Sequence, residues 1–286
     1  MSNELKIFFW GVRGSTPCAN VHNMVFGGNT TCIQFELEGF KDLIIADCGT
    51  GVRNLGNDLA DIKAAKQGRI FVTHPHWDHL QGFPFFKPFY NSKNYFQVYM
   101  PPQGDVSCKE ILQGHLSNTF FPVSIDMLEA DVECLTFEEG VLNFDNYSVE
   151  YMFARHTAPT AMYKFTFGER KIVFAPDNEL PFVKNASNQL FLEKFQNFVA
   201  GVDVLVHDGQ FNKEQHQSRI GWGHSDWETV LETVKDLQIK KLFLTHHDPD
   251  SCDEMLSKRD KEIQCKYGKC FEQVCLIKEG QEIILP

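Results

Sequence analysis

The chain has 286 residues and a formal net charge of −11, long enough to bury one large α/β core or two small ones without staples. The acidic balance and the lack of any Lys/Arg cluster argue against long polyanionic partners, because nucleic-acid affinity comes largely from neutralised phosphates. Nine scattered cysteines with no CxxC pair exclude a disulfide scaffold and point to reduced thiols in a cytoplasm, and no apolar run reaches the length of a signal-peptide core or a membrane span.

In chain order, a β-type run at 43–46 leads into Asp47-Cys48-Gly49-Thr50-Gly51, and a second, Arg69-Ile70-Phe71-Val72, leads into Thr73-His74-Pro75-His76-Trp77-Asp78-His79. A helix is predicted over 106–117, inside a stretch, 101–140, that carries no ligand-type cluster and reads as an insertion in a single domain spanning 1–286. The alternating run 147–153 leads to His156, and 171–174 leads to Ala175-Pro176-Asp177. Leu190, Phe191, Phe195 and Phe198 recur at helical spacing within 187–199. Residues 202–206 lead to His207-Asp208-Gly209; Ser225-Asp226-Trp227-Glu228 reads as a capping box opening a helix over 225–237; and 241–245 leads to His246-His247-Asp248. The tail, 271–285, with its Lys278-Glu279-Gly280-Gln281 turn, reads as a closing hairpin. Such recurrence of polar residues after β-type runs gathers them at one edge of a layered α/β protein.

The heptad at 73–79 carries the chemistry. Side chains on extended backbone alternate with period two, so His74 and His76 point to one side and can grip one cation, with Pro75 stiffening the link. Where the chain turns, Asp78 and His79 can face a second cation, the arrangement that activates water. Just downstream, Phe83, Phe85, Phe86 and Phe89 either wall an apolar pocket or fill the core.

The order Asp47, His74-x-His76-x-Asp78-His79, His156, Asp177 and His246 resembles the metallo-β-lactamase superfamily. The resemblance runs from Gly11-Val12-Arg13-Gly14-Ser15-Thr16-Pro17 through Gly27-Gly28-Asn29-Thr30-Thr31 to the end, and implies the αββα sandwich of that type. His207-Asp208-Gly209 with Gly221-Trp222-Gly223-His224-Ser225 is similar to paired motifs of the phosphodiesterase-like branch, which includes ribonuclease Z and class II cyclic-nucleotide phosphodiesterases. The implied ligands are His74, His76 and His156 for one metal and Asp78, His79 and His246 for the other, with Asp177 bridging. His247 is the alternative to His246, which is favoured because it directly follows Leu244-Thr245. Two divalent ions are implied, zinc by default with manganese or iron tolerated.

The mechanism implied is attack by a metal-bridging hydroxide on phosphorus. Asp78, Asp208 and His224 are the catalytic candidates, Asp208 orienting an imidazole that stabilises charge or protonates the leaving oxygen. Asp47 is either a hydrogen-bond acceptor behind a ligand histidine or an ordinary turn aspartate. Arg13, Asn29, Trp222 and His247 are the candidate substrate contacts. Between Asp177 and His207 there are only 29 residues, with no basic, glycine-rich arm of the kind that ribonuclease Z uses on tRNA. The expected substrate is therefore a small phosphodiester such as a cyclic nucleotide, with no membrane and no folded RNA or DNA as partner, and family habit points to a homodimer. A thioester or lactone hydrolase uses much the same ligand set and is the alternative.

Overall fold

A computed structural model describes residues 4–60, 65–181 and 185–286. The chain divides into two compact units: Met1–Val21, Gly27–Glu138 and Lys278–Pro286 form the first, His22–Phe26 and Glu139–Ile277 the second. Each is built on its own seven-stranded sheet.

In the first unit, β1 (Leu5–Gly11), β2 (Cys32–Leu37) and β3 (Leu43–Ala46) pair antiparallel. From β3 onward the order is parallel, through β4 (Gln67–Phe71), β5 (Tyr95–Met100) and β6 (Asp131–Thr136). Period-two alternation is plain in β1, where Leu5, Ile7 and Phe9 are buried, whereas β3, interior to the sheet between antiparallel β2 and parallel β4, is buried along its whole length. Helix α1 (Val52–Ala60) buries Val52 and Leu55; the one-turn helix α2 (Trp77–Leu80) carries the second half of the heptad; α3 (Cys108–His115) opens on a Ser107/Glu110 capping box. Phe83, Phe86 and Phe89 are core residues, Phe86 and Phe89 packed edge-to-face with Phe96 and Phe83 tilted against Phe89, while Phe85 is exposed. The 101–140 stretch supplies α3 and the edge strand β6 to this unit.

In the second unit, β7 (Val141–Asn143), β8 (Ser148–Phe153), β9 (Ala161–Phe167) and β10 (Arg170–Ala175) pair antiparallel. Strands β11 (Val204–Asp208), β12 (Lys241–Thr245) and β13 (Gln273–Leu276) then continue in parallel from β10. Its helices are α4 (Ala186–Val199), α5 (Lys213–Gln217), α6 (Trp227–Val234) and α7 (Asp253–Tyr267). Among the described residues no helix is long and apolar enough to cross a membrane.

Two local expectations are corrected. The tail is not a hairpin: β13 pairs with β12, whereas the last strand, β14 (Glu282–Leu285), pairs antiparallel with β1. The turn at Lys278–Gln281 exists, with Gly280 at φ +79, yet a turn does not dictate which sheet takes the strand that follows. The N-cap of α6 is Asp226, which accepts from Thr229 N at 2.8 Å. Ser225 instead donates from Oγ to the Asn178 carbonyl and accepts from Leu180 N, so the helix starts one residue later than its capping pattern suggests.

Candidate metal centre

Parallel strands place their C-terminal ends on one edge of their sheet, and each unit carries its candidate ligands on that edge of its own sheet. In the first unit Asp47 follows β3 and the heptad follows the neighbouring β4. In the second, Asp177 follows β10, Asp208 ends β11 and His246 follows β12. His156 follows β8, which runs in the same direction as β10 because each is antiparallel to β9. Asp47 and His246 leave their strands with left-handed backbone, φ +61 and +60. Such backbone costs about 1–3 kcal/mol at a non-glycine residue and persists where surrounding structure enforces it, commonly at functional sites.

In the first unit His74 Nε2 and His76 Nδ1 converge to 2.8 Å, the one-sided projection that extended backbone dictates. Asp78 Oδ2 and His79 Nε2 lie 3.2 Å apart, and Asp78 also accepts from Ser15 N at 2.8 Å. Behind them sits Asp47, fully buried, with Oδ2 2.8 Å from His79 Nδ1 and Oδ1 accepting from Thr73 N at 2.7 Å. A carboxylate on Nδ1 fixes the tautomer and leaves Nε2 as the donor atom for a metal. Burial pushes the Cys32 and Cys48 thiols well above their ordinary range, so neither is a nucleophile here.

The second unit repeats the logic. His246 Nε2 and His156 Nε2 approach Asp177 Oδ2 at 3.3 and 3.6 Å, and His156 Nδ1 is 2.9 Å from the Gly223 carbonyl. His156, Asp177 and His224 form one cluster whose nitrogen and oxygen atoms could share a cation. His224 Nδ1 is 2.8 Å from Asp208 Oδ2, and its ring stacks on that of His246 at 4.7 Å. The donor chemistry of both units, imidazole and carboxylate with the far ring nitrogens of His79 and His156 already engaged, fits divalent metal.

The residues that hold this loop were not visible in the sequence. Glu179, nearly buried, accepts from Gly221 N at 2.8 Å and Gly223 N at 2.8 Å, and its Oε1 is 3.4 Å from His216 Nε2. The other nitrogen of His216 is 2.9 Å from Asp226 Oδ2. Burial alone would lower the His216 pKa, but its two carboxylate partners outweigh that and raise it to about 9. For Glu179 burial pushes up, while the donors from His216, Gly221 and Gly223 win and hold the carboxyl below its usual range. An imidazolium therefore ties Glu179 to Asp226, and the carboxylate ties down the Gly221–Gly223 turn that presents the Gly223 carbonyl to His156. The sequence signal available was only the His216-to-Asp226 spacing, which is uninformative without the fold.

Several expected substrate contacts are not placed to serve. Arg13 is fully buried and donates from Nε to the Gly27 carbonyl at 2.7 Å. The Asn29 side-chain amide donates to Glu279 at 2.6 Å, and the same carboxylate accepts from the backbone of Gly28 and Asn29. His247 is buried, with Nε2 2.8 Å from the Ile277 carbonyl and its ring edge-on to Phe26. All three brace loops, which also separates His247 from its neighbour His246. Trp222 alone of the four is exposed, with the Arg219 guanidinium 5.8 Å from its ring.

Residues 43–247 match the model of the β-lactamase superfamily domain, well over half of the chain. The chain belongs to the β-lactamase superfamily. It is 26 % identical over 296 aligned residues to a ribonuclease Z of Streptococcus suis (strain 98HAH33), covering 87 % of this chain and 92 % of that one. It is 25 % identical over 321 to a ribonuclease Z of Enterococcus faecalis (strain ATCC 700802 / V583), covering 99 % and 98 %. Among solved structures, the metallo-β-lactamase fold protein YhfI of Bacillus subtilis superposes with a TM-score of 0.70 at 17 % identity, over 99 % of this chain and all of that one. A human tRNase Z, short form, gives 0.66 at 17 % over 98 % and 99 %. The superfamily member is thus an α/β protein of the metallo-β-lactamase fold and a metal-dependent hydrolase of the ribonuclease Z and phosphodiesterase branch, as the motifs led us to expect.

Proposed function

We propose that this protein hydrolyses RNA phosphodiesters at a dinuclear metal site. In this reading His74, His76 and His156 hold one ion, Asp78, His79 and His246 the other, and Asp177 both, with zinc the default and manganese or iron compatible with the same donors. The observation that carries the reading is the Asp208–His224 pair, 2.8 Å apart on the same sheet edge as Asp177 and His246. When bound, two divalent ions lower the pKa of a coordinated water towards neutrality and offset negative charge on a phosphoryl group. The chain's own part is proton handling. Asp208 holds the His224 ring through Nδ1, which leaves Nε2 to donate a proton to the departing oxygen or to face charge as it develops.

The substrate expected from composition is revised. Relatives aligned over nearly their full length are named ribonuclease Z, which speaks against a cyclic nucleotide as the main target and against the exclusion of RNA. The exclusion rested on a net charge of −11, a global sum that leaves local fields undetermined. The 29-residue interval between Asp177 and His207 still lacks a basic arm, so RNA contacts on this chain have to come from elsewhere.

The test is a panel of RNA oligonucleotide, bis-p-nitrophenyl phosphate, thioester and lactone, run on metal-reconstituted wild type beside His224→Ala. Phosphodiester turnover that falls at least about 100-fold in the variant, with metal content unchanged, is the expected outcome. Ester hydrolysis equal in both proteins, with no phosphodiester cleavage by either, would overturn the reading in favour of a thioester or lactone hydrolase.

A further inference from the structure

Six large aromatic side chains are exposed among the described residues, and four of them, Trp77, Phe85, Tyr90 and Phe120, line one groove of the first unit. The groove begins in the metal motif itself. Pro75 and Trp77 wall a cavity of about 520 Å³ with Phe85, Phe120 and Phe121. Phe85 and Phe121, edge-to-face at 5.4 Å, also wall a second cavity of about 490 Å³, where Arg53, Lys87 and Tyr90 join them. Lys87 and Tyr90 continue into a third of about 320 Å³ that Lys66 also lines. The Tyr90 hydroxyl donates to the Pro84 carbonyl at 2.7 Å and fixes that ring. Arg53 and Lys87 make no ion pair among the described residues, although the chain carries 38 acidic side chains.

We infer that this groove is the path of a single-stranded nucleic acid leaving the metal motif. The inference deepens the RNA reading above and rests on it. Flat bases stack on the aromatic planes that line the first two cavities, and the phosphates that join them lie against Arg53 and Lys87. Interleaved aromatics and unpaired cations are what such strands require, since stacking is sequence-tolerant and each backbone unit carries one charge. An acidic peptide would satisfy the cations but leave the row of aromatic planes without a function. The groove also supplies the local positive charge that the missing arm does not.

The measurement is fluorescence anisotropy of a labelled short oligoribonucleotide on the metal-loaded protein across a salt series, with an abasic strand and a polyglutamate peptide of equal charge as competitors. Trp77→Ala and Phe120→Ala should each weaken binding of the base-bearing strand at least about fivefold and leave the abasic strand unaffected. The Arg53→Glu/Lys87→Glu double variant should weaken both strands at least about tenfold and flatten the salt slope by about 1.4, at about 0.7 per phosphate. These side chains are exposed, so the variants keep the core, and Lys235→Glu on the second unit is the control expected to bind as wild type. RNA cleavage with wild-type strand affinity in all groove variants would overturn the path while leaving the enzyme reading intact. Absence of both binding and cleavage by wild type would overturn both. Tighter binding of polyglutamate than of RNA would assign the groove to a protein partner, and dissociation of a dimer by Phe120→Ala at unchanged RNA affinity would assign it to self-association.

Discussion

Glu179 offers the sharpest single test of how the second unit holds its cluster of His156, Asp177 and His246. Glu179→Gln keeps the shape and one acceptor oxygen but removes the charge. It also turns an amide NH2 towards one of the two backbone donors, Gly221 N and Gly223 N, that now point at carboxylate oxygens 2.8 Å away. Hydrogen bonds to charged groups are worth about 1.5–3 kcal/mol each, so losing one and weakening the pairing with His216 should destabilise the fold by about 2–4 kcal/mol. For a chain of this size that is roughly 5–12 °C in Tm. The loosened turn frees the Gly223 carbonyl from His156 Nδ1, and disturbing such a brace should weaken metal binding about 10- to 100-fold. The pH dependence adds an independent check. His216 has a folded pKa of about 9 against an ordinary value of 6.5, so its contribution is complete below 6.5 and fades as pH rises through 9. The stability gap between wild type and variant should therefore be largest near neutrality and narrow by pH 10. Thermal unfolding at several pH values, paired with metal retention against a chelator at pH 7, reads both effects. An unchanged Tm and unchanged metal retention, or a gap that does not narrow with pH, would refute the account.

Two further predictions use the same brace and its counterpart in the first unit. A Cβ on Gly223 would meet His156 Nδ1 at 2.2 Å in backbone of φ +88, whereas one on Gly221, φ +87, meets nothing within 4 Å. Gly223→Ala should thus strip metal at least about tenfold more readily, while Gly221→Ala should cost only the roughly 1–2 kcal/mol of left-handed backbone; equal behaviour of the two in a chelator competition would show that the contact is unimportant. Asp47→Asn should lower metal affinity about 10- to 100-fold by removing the charge behind His79 Nδ1, read by metal analysis after dialysis, and an affinity equal to wild type would reduce Asp47 to a turn residue.

The gathering of imidazoles and carboxylates at the strand ends of each unit was legible because its logic is local. Strand periodicity aims His74 and His76 to one side, and short apolar runs announce that Asp177, His207-Asp208 and His246 stand at strand ends, where parallel neighbours bring them to a common edge. What failed to show depends on pairings between distant residues that no local rule predicts. Ser225 and Asp226 both suit an N-cap, and the choice is made by the Asn178 carbonyl, which takes the Ser225 hydroxyl from 47 residues away, while Asp226 keeps Oδ1 for Thr229 N with Oδ2 on His216. The tail strands were each recognisable, but their sheet partners were not, since one turn fits either destination. Arg13 and Asn29 looked like phosphate contacts because a cation or amide in a glycine-rich loop has the same local appearance whether it faces solvent, a backbone carbonyl as Arg13 does, or a carboxylate as Asn29 does. The aromatic groove is the converse case. Arg53, Trp77, Lys87 and Phe120 come from four separate segments, so a chain whose summed charge argues against nucleic acid still assembles a cationic, base-sized track beside its histidines. Net charge bounds the long-range field, while substrate choice is decided over the few ångströms where individual side chains meet a phosphate or a base.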